Sequence, residues 1–254
     1  FKQKTAYEIM PSLVGSEMCI RDREGLGRAL AAKFASHGFD IALVSRSEKH
    51  STVAAEAAAN TNPNVRVQFL AADGTRPATI EKALATIATQ MGEIEVLIYN
   101  ARGSFASREP LELTYEELED NFRLEVVGAL ASAKSVLPAM RERGKGSVFF
   151  SSATAAYRGS ATHALYAIGK FGLRALSQSL AKAYSKDGVH IVHVRLDCDL
   201  DMPLMREIYG DEFDSSQMAN TDDVAKSYWW VHQQPRSAWS NELELRPYTE
   251  EWTY

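Results

Sequence analysis

Short apolar runs alternate with longer helix-forming stretches along most of this chain. Helix-forming patterns occupy, among others, residues 77–91 and 114–143. The strand-like runs lie at 39–45, 65–71, 95–100, 146–150, 190–196 and 242–246. Strands that alternate with helices of about 10–15 residues indicate βαβ units with right-handed crossovers. The pattern therefore predicts a three-layer α/β fold of the Rossmann type, built on a doubly wound parallel sheet.

Residues 24–254 are expected to form a single domain, because no repeat, low-complexity tract or Pro/Gly/Ser-rich linker divides the 254-residue chain. Residues 1–23 differ, since they show no sustained period of strand or helix. Within them, 11–23 resemble a translated sequencing-adapter artefact. A replaced N-terminus and a divergent natural arm are both open, and either predicts a first strand that is weak or missing.

Composition argues against several classes of protein. The 28 basic and 33 acidic residues leave a net charge of −5, which offers no basic field for nucleic acid or an anionic membrane. Cys19 and Cys198 cannot form a disulfide framework and lack metal-ligand spacing, so we expect a cytoplasmic setting and no metal. No apolar run reaches the roughly 18 residues that span a bilayer. No signal peptide is expected, since the run at 9–14 is short and contains Pro11.

Polar residues and glycines cluster where the predicted strands end. In an open parallel sheet, ligands bind beyond the carboxyl ends of the strands, where the strand order reverses. The groups expected at this edge are Gly25, Gly27, Ser45, Arg46, Asp73, Asn100, Ser151 and Ser152. Their shared position predicts one binding site there.

Tyr166 and Lys170 are four residues apart in a predicted helix, which places both side chains on one face. A tyrosine has an unperturbed pKa of about 10, and a neighbouring ammonium group favours the phenolate and lowers that pKa. The hydroxyl cluster that includes Ser152 and Thr154 ends the preceding strand and supplies hydrogen-bond donors. The pattern favours an acid–base site, although a surface pair one helical turn apart is the simpler alternative.

Taken together, these motifs resemble the short-chain dehydrogenase/reductase family over residues 24–254. The resemblance rests on Gly25-Leu26-Gly27, Asp73, Tyr99-Asn100-Ala101 and Tyr166-x-x-x-Lys170. It implies an NAD(P)-dependent oxidoreductase that interconverts a carbonyl and an alcohol.

The resemblance also implies a cofactor site. Gly25, Leu26 and Gly27 would bring the backbone close to a pyrophosphate at a helix N-terminus. Arg46 suits the 2′-phosphate of NADP, so we expect NADP in preference to NAD. Asp73 would lie near the adenine, while Asn100 and Ala101 would line the cofactor. Each has a plainer alternative: a helix-start loop for the glycines, a solvated Arg46, and turn residues for Asp73 and Asn100.

In the same family pattern, Tyr166 gives or takes the proton and Lys170 supports it while holding the nicotinamide ribose. Ser152 or Thr154 would polarise the carbonyl of the substrate, which is expected to be an apolar molecule of small to medium size. A homodimer or homotetramer is expected, with 114–143 and the Tyr166 helix at its interface.

The chain departs from the family pattern at several positions. Arg21 replaces the first glycine of the cofactor loop, and Ala153 takes the place of the catalytic serine. Glu125 replaces a helix asparagine, where a carboxylate would pair with Lys170 and oppose a lower pKa for Tyr166. Met202 replaces a threonine that contacts the carboxamide. A catalytically weak or inactive nucleotide-binding or interaction protein on the same fold therefore remains an alternative.

Overall fold

Parallel strands at the centre of the molecule confirm the predicted doubly wound sheet. The computed structural model describes residues 10–14 and 25–250, the first of these ranges by its backbone alone. Within these ranges the strands are β1 (Met10–Val14), β2 (Ile41–Ser45), β3 (Val67–Ala71), β4 (Ile94–Tyr99), β5 (Gly146–Ala153), β6 (Val189–Leu196), β7 (Leu200–Asp201), β8 (Ala219–Asn220) and β9 (Glu242–Leu245). The main sheet runs β3-β2-β1-β4-β5-β6-β9, and β7 pairs with β8 apart from it. The strand order reverses between β1 and β4.

Helices cover both faces of the sheet. In the described ranges they are α1 (Leu26–Ala35), α2 (Glu48–Thr61), α3 (Pro77–Gln90), α4 (Tyr115–Phe122), α5 (Gly128–Glu142), α6 (Ala164–Tyr184), α7 (Pro203–Tyr209) and α8 (Thr221–His232). One core packs α3, α5 and α6 against the sheet, and the other packs α1, α2 and α8. Phe149 and Phe150 are fully buried in opposite cores, because successive strand residues face opposite ways. Replacing either phenylalanine by alanine would lower the free energy of unfolding by about 3–5 kcal/mol. These two side chains therefore anchor β5 between the two cores.

The prediction of a weak or missing first strand is wrong. Met10–Val14 lies at the centre of the sheet and pairs with both β2 and β4. The register with β4 shifts between Met10 and Ser12, so Pro11 falls at an irregularity. A proline cannot donate a ladder hydrogen bond and is accommodated at such bulges, which explains why it does not end the strand. The remainder of 1–23, including Cys19 and Arg21, lies outside the described residues.

The long helical stretch predicted over 114–143 is present as continuous helix over 115–142, with a change of winding near its middle. A π-helical segment, Arg123–Val127, separates α4 from α5. At its end, a side chain on Gly128 would collide with the Gly74 carbonyl and lie 2.5 Å from the Tyr99 hydroxyl. The wider π turn places Glu125 inside the protein with 0% exposure.

Residues 197–220 contain α7 and the short strands β7 and β8. α7 has only 7 residues and begins with Pro203 at its first turn. Two turns are too short to produce a recognisable hydrophobic period, which explains why the sequence pattern missed it. No helix that the structure describes is both long and apolar enough to cross a membrane.

Candidate active site

A cavity of about 570 Å³ opens beyond the carboxyl ends of β4, β5 and β6. It lies on the side of the sheet where the sequence predicted a ligand site, because parallel strands all end at one edge. The structure brings seven of the predicted site residues to its wall: Leu26, Asn100, Ala101, Ser152, Thr154, Tyr166 and Lys170. Residues from the start of α1, the ends of β4 and β5, and α6 therefore meet at one place.

Tyr166 and Lys170 lie one turn apart on α6, with the Lys170 Nζ atom 5.5 Å from the centre of the Tyr166 ring. The Phe105 ring packs edge-on against the Tyr166 ring at 5.1 Å between centroids. This contact fixes the orientation of the phenol from the loop that follows β4. Lys170 is 2% exposed, so its charge acts on the tyrosine without screening by bulk water.

The Lys170 ammonium group is held by three oxygen atoms. Its Nζ donates to Glu125 Oε2 at 2.8 Å, to the Ala101 carbonyl at 3.2 Å and to the Ser151 carbonyl at 3.4 Å. The other carboxylate oxygen of Glu125 accepts a hydrogen bond from the Gly103 amide at 2.6 Å. The predicted pairing of Glu125 with Lys170 is therefore present in the structure as a buried ion pair.

The two hydroxyl candidates at the end of β5 have different partners. The Thr154 hydroxyl donates a hydrogen bond to the Asp197 carboxylate, which commits that hydroxyl to a structural contact. Ser152 is 4% exposed, and its hydroxyl has no hydrogen-bond partner within the described ranges although the residue lines the cavity. A buried hydroxyl without a partner costs free energy, and a ligand oxygen in the cavity would recover it. Of these two hydroxyls, Ser152 is therefore the one without a hydrogen-bond partner among the described residues.

The N-terminus of α1 forms the cofactor side of the cavity. Gly25 is the N-cap residue of this helix, and Leu26, its first helical residue, lines the cavity. Unpaired amides at a helix N-terminus attract anions. The described residues thus fit a bound dinucleotide pyrophosphate here.

Arg46 and Asp73 do not line the cavity. Arg46 is exposed directly after β2, at the same edge of the sheet. The neighbouring Ser45 hydroxyl donates to the Ser47 carbonyl at 2.9 Å and lies 3.0 Å from the Ser51 hydroxyl. Asp73 Oδ1 accepts from the amide and the hydroxyl of Thr75, which is the turn role left open for it.

Apolar side chains form the remaining wall. α7 and the residue before it provide Met202, Leu204, Met205, Ile208 and Tyr209. The loops opposite add Phe105 and His163, whose rings stack at 4.4 Å. The loop residues and the two-turn helix α7 carry no periodic signal, so the hydrophobic pattern of the sequence did not single out their side chains.

Cys198 also lines the cavity but is not a nucleophile at neutral pH. Burial raises the pKa of its thiol to about 12, so the thiolate that would react is absent. Within the described part of the chain there is also no group of three or more side chains arranged to hold a metal ion.

Comparisons with known proteins agree with this architecture. The model of the short chain dehydrogenase family matches residues 21–198. An uncharacterised oxidoreductase of Staphylococcus epidermidis is 23% identical over 223 residues, which cover 88% of this chain and 93% of the relative. Levodione reductase of Leifsonia aquatica is 29% identical over 168 residues, 66% of this chain and 62% of that protein.

A solved structure shares the fold. The alcohol dehydrogenase of the archaeon Thermococcus sibiricus, complexed with 5-hydroxy-NADP, superposes with a TM-score of 0.80. It is 20% identical in sequence, and the match covers 96% of this chain and 100% of that chain. With the family model spanning more than half of its length, the chain belongs to the short-chain dehydrogenase family and is an NAD(P)-dependent oxidoreductase.

Proposed function

We propose that the protein is an NADP(H)-preferring reductase and dehydrogenase that interconverts a carbonyl and an alcohol, with Tyr166 as the general acid and base. One observation carries the proposal: Tyr166, Lys170 and the unpartnered hydroxyl of Ser152 line one cavity beside the N-terminus of α1. These are the groups needed to hold a carbonyl oxygen and to deliver a proton to it.

Each residue has a distinct task in the reductive direction. The Ser152 hydroxyl donates a hydrogen bond to the carbonyl oxygen and so stabilises the negative charge that develops there. Tyr166 transfers its phenolic proton to the same oxygen, and Lys170 stabilises the phenolate that remains. A nicotinamide cofactor, when bound, would supply the hydride for the carbonyl carbon. In the oxidative direction the Tyr166 phenolate takes the proton back from the alcohol.

Ser152 can serve although the serine of the family pattern falls on Ala153. The loop between β5 and α6 spans residues 154–163 and can absorb one additional residue without moving either element. The direction of the Ser152 hydroxyl is set by the end of the strand and not by its distance along the chain from Tyr166. Ser152 is therefore expected to take the donor role.

A small to medium-sized, mainly apolar carbonyl compound fits the cavity. Its volume of about 570 Å³ lies within the range of small-molecule sites, and methionine, leucine and isoleucine side chains of 202–208 form one wall. Titration with NADPH, followed by NADPH consumption with a panel of apolar ketones and aldehydes, tests the proposal. Binding together with turnover is expected, while failure to bind NADPH would refute it.

Arg46 supports the preference for NADP. Replacing Arg46 by alanine should weaken NADPH binding about 10–100-fold, because a charge-assisted hydrogen bond to a phosphate contributes about 1.5–3 kcal/mol. Binding of NADH, which lacks the 2′-phosphate, should change little. Dissociation constants from fluorescence titration of both cofactors provide the measurement.

Lys82→Ala is the matched control for Arg46→Ala, since it removes an exposed positive charge from the body of α3. This variant should bind NADPH like the unsubstituted protein. An equal loss of NADPH and NADH affinity in Arg46→Ala would show that Arg46 does not read the phosphate.

We also propose a homodimer formed through α6 and the segment before α5. Phe122, Ile168 and Phe171 are each 41–42% exposed, so each presents apolar surface to solvent. They belong to one patch, because a side chain on Gly172 would lie 2.7 Å from Val126 and 3.3 Å from the Phe122 ring. A second copy of this surface would cover the patch.

Phe171→Glu should shift the protein from dimer to monomer, because an unpaired charge buried in an interface costs about 2–5 kcal/mol. Sedimentation velocity at micromolar concentration measures the change. Leu111→Glu is the control, as Leu111 is 100% exposed and lies outside α6 and the Arg123–Val127 segment. A monomeric unsubstituted protein would contradict the proposed interface.

A further inference from the structure

A carboxylate lies directly behind the proposed acid–base pair. Glu125 is 0% exposed, and both of its oxygens are used: Oε1 accepts from the Gly103 amide at 2.6 Å and Oε2 accepts from Lys170 at 2.8 Å. A buried carboxylate is costly unless it is paired and hydrogen-bonded, as this one is. The Glu125 carboxylate is therefore an integral part of the acid–base centre formed by Tyr166 and Lys170.

The surrounding backbone leaves room for this side chain. A Cβ atom on Gly169, the residue before Lys170, would lie 2.7 Å from Glu125 Cγ, and one on Gly103 would lie 3.1 Å from Glu125 Oε1. The π-helical Arg123–Val127 segment turns the residue inward from the other side. Two glycines and a π turn thus shape a compartment that the carboxylate fills.

No neighbouring charged group among the described residues takes over from Lys170 as the partner of the Glu125 carboxylate. On β6, burial lowers the pKa of His193 to about 4, so its ring is neutral near pH 7, and β5 carries no charged residue. Arg102 is half-buried in the loop after β4, while Arg123 on the π segment is exposed. The charged residues of α4 and α5 are partly or fully exposed. Lys170 is the cation that contacts the carboxylate within the described residues.

We propose that Glu125 is a positioning residue that supplies the counter-charge of Lys170, so that Tyr166 keeps its phenolic proton to higher pH and the centre reduces a carbonyl over a wider pH range. With Glu125 charged, the Lys170 ammonium already has its counter-charge, and a phenolate at Tyr166 would add uncompensated negative charge. With a neutral amide at 125, the phenolate itself becomes the counter-charge of Lys170. The phenolic proton of Tyr166 is then lost at lower pH.

This inference rests on the proposed function, and Glu125→Gln tests it. The alkaline limb of the pH profile of kcat/KM for NADPH-dependent reduction should move at least about one pH unit lower. Tyrosinate absorbance, taken as the difference between each protein and its Tyr166→Phe counterpart, should show a titration midpoint that moves in the same direction without any need for turnover. Glu125→Asp retains the charge and should move both midpoints by less than half as much.

Glu95→Gln is the matched control, because Glu95 is also a buried carboxylate in an ion pair, with Lys145 at 2.9 Å, but lies at the start of β4 away from the cavity. It should leave both midpoints unchanged. Glu125→Asn provides a second neutral variant if Glu125→Gln folds poorly, as judged by circular dichroism. Midpoints that stay in place or rise in the neutral variants would overturn the inference.

The two proposals fail in different ways. Full reductase activity in Tyr166→Phe would refute the proposed function, because Tyr166 could not then be the general acid. An inactive Tyr166→Phe, combined with unshifted profiles in Glu125→Gln, would leave the proposed function intact and refute only the role assigned to Glu125.

Discussion

Replacing Tyr166 by phenylalanine should slow NADPH-dependent carbonyl reduction by about 100–10,000-fold, the usual contribution of a general acid. The substitution removes the phenolic proton but keeps the ring, which packs edge-on against Phe105 at 5.1 Å. NADPH affinity should therefore fall far less than kcat. Steady-state kinetics with the best carbonyl of the panel, together with a cofactor titration, separates the two quantities.

Tyr157→Phe provides the matched control. Tyr157 lies in the loop between β5 and α6, the helix that carries Tyr166, but its hydroxyl donates to Glu242 at 2.6 Å. Burial together with this hydrogen bond raises the pKa of Tyr157. A hydroxyl committed in this way is a poor acid, so its removal should reduce kcat by less than about tenfold. Equal rates for Tyr166→Phe and the unsubstituted protein would refute the role of Tyr166.

Ser152→Ala should lower kcat by about 100–1,000-fold, as expected for the loss of one hydrogen-bond donor to a developing oxyanion. The Ser152 hydroxyl is buried at the cavity and has no partner in the described structure, so it can donate a hydrogen bond to a substrate oxygen. Because the alanine variant loses no hydrogen bond seen in the structure, its thermal stability should stay close to that of the unsubstituted protein. Kinetics and a melting curve measure the two effects.

Thr154→Val is the control that separates the two hydroxyls. Thr154 donates to Asp197, so its loss should lower the melting temperature while kcat falls by less than about tenfold. The reverse result, with a large loss of kcat in Thr154→Val and little in Ser152→Ala, would move the donor role to Thr154. Little effect from either variant would show that the carbonyl is polarised by another group.

Much of the fold was predictable because it depends on patterns that repeat along the chain. Strand and helix periods located β2 to β6, β9 and most helices, and the parallel sheet followed from their alternation. β1 escaped recognition because Pro11 breaks the apparent period, while a register shift in the sheet accommodates it. α7 escaped because two helical turns carry too few residues to show a period.

The meeting of Asn100, Ser152, Tyr166 and Lys170 at one cavity was predictable, from strand ends for the first two and from helical spacing for the other two. Which hydroxyl is free depends on a contact between residues 43 positions apart, Thr154 and Asp197, and no local pattern encodes it. The depth at which Glu125 is buried likewise depends on a π turn and on space left by Gly103 and Gly169. Such tertiary details decide the chemistry but are invisible to sequence periodicity.

Transfer of deuterium from reduced, deuterium-labelled NADPH to an apolar ketone tests the central claim most directly. The full chain should consume NADPH and form the alcohol in equal amounts, with the label on the former carbonyl carbon, and Tyr166→Phe should form at most about 1% as much in the same time. Tight NADPH binding without labelled alcohol from any ketone or aldehyde of the panel would contradict the account, and would identify the chain as a nucleotide-binding protein on this fold.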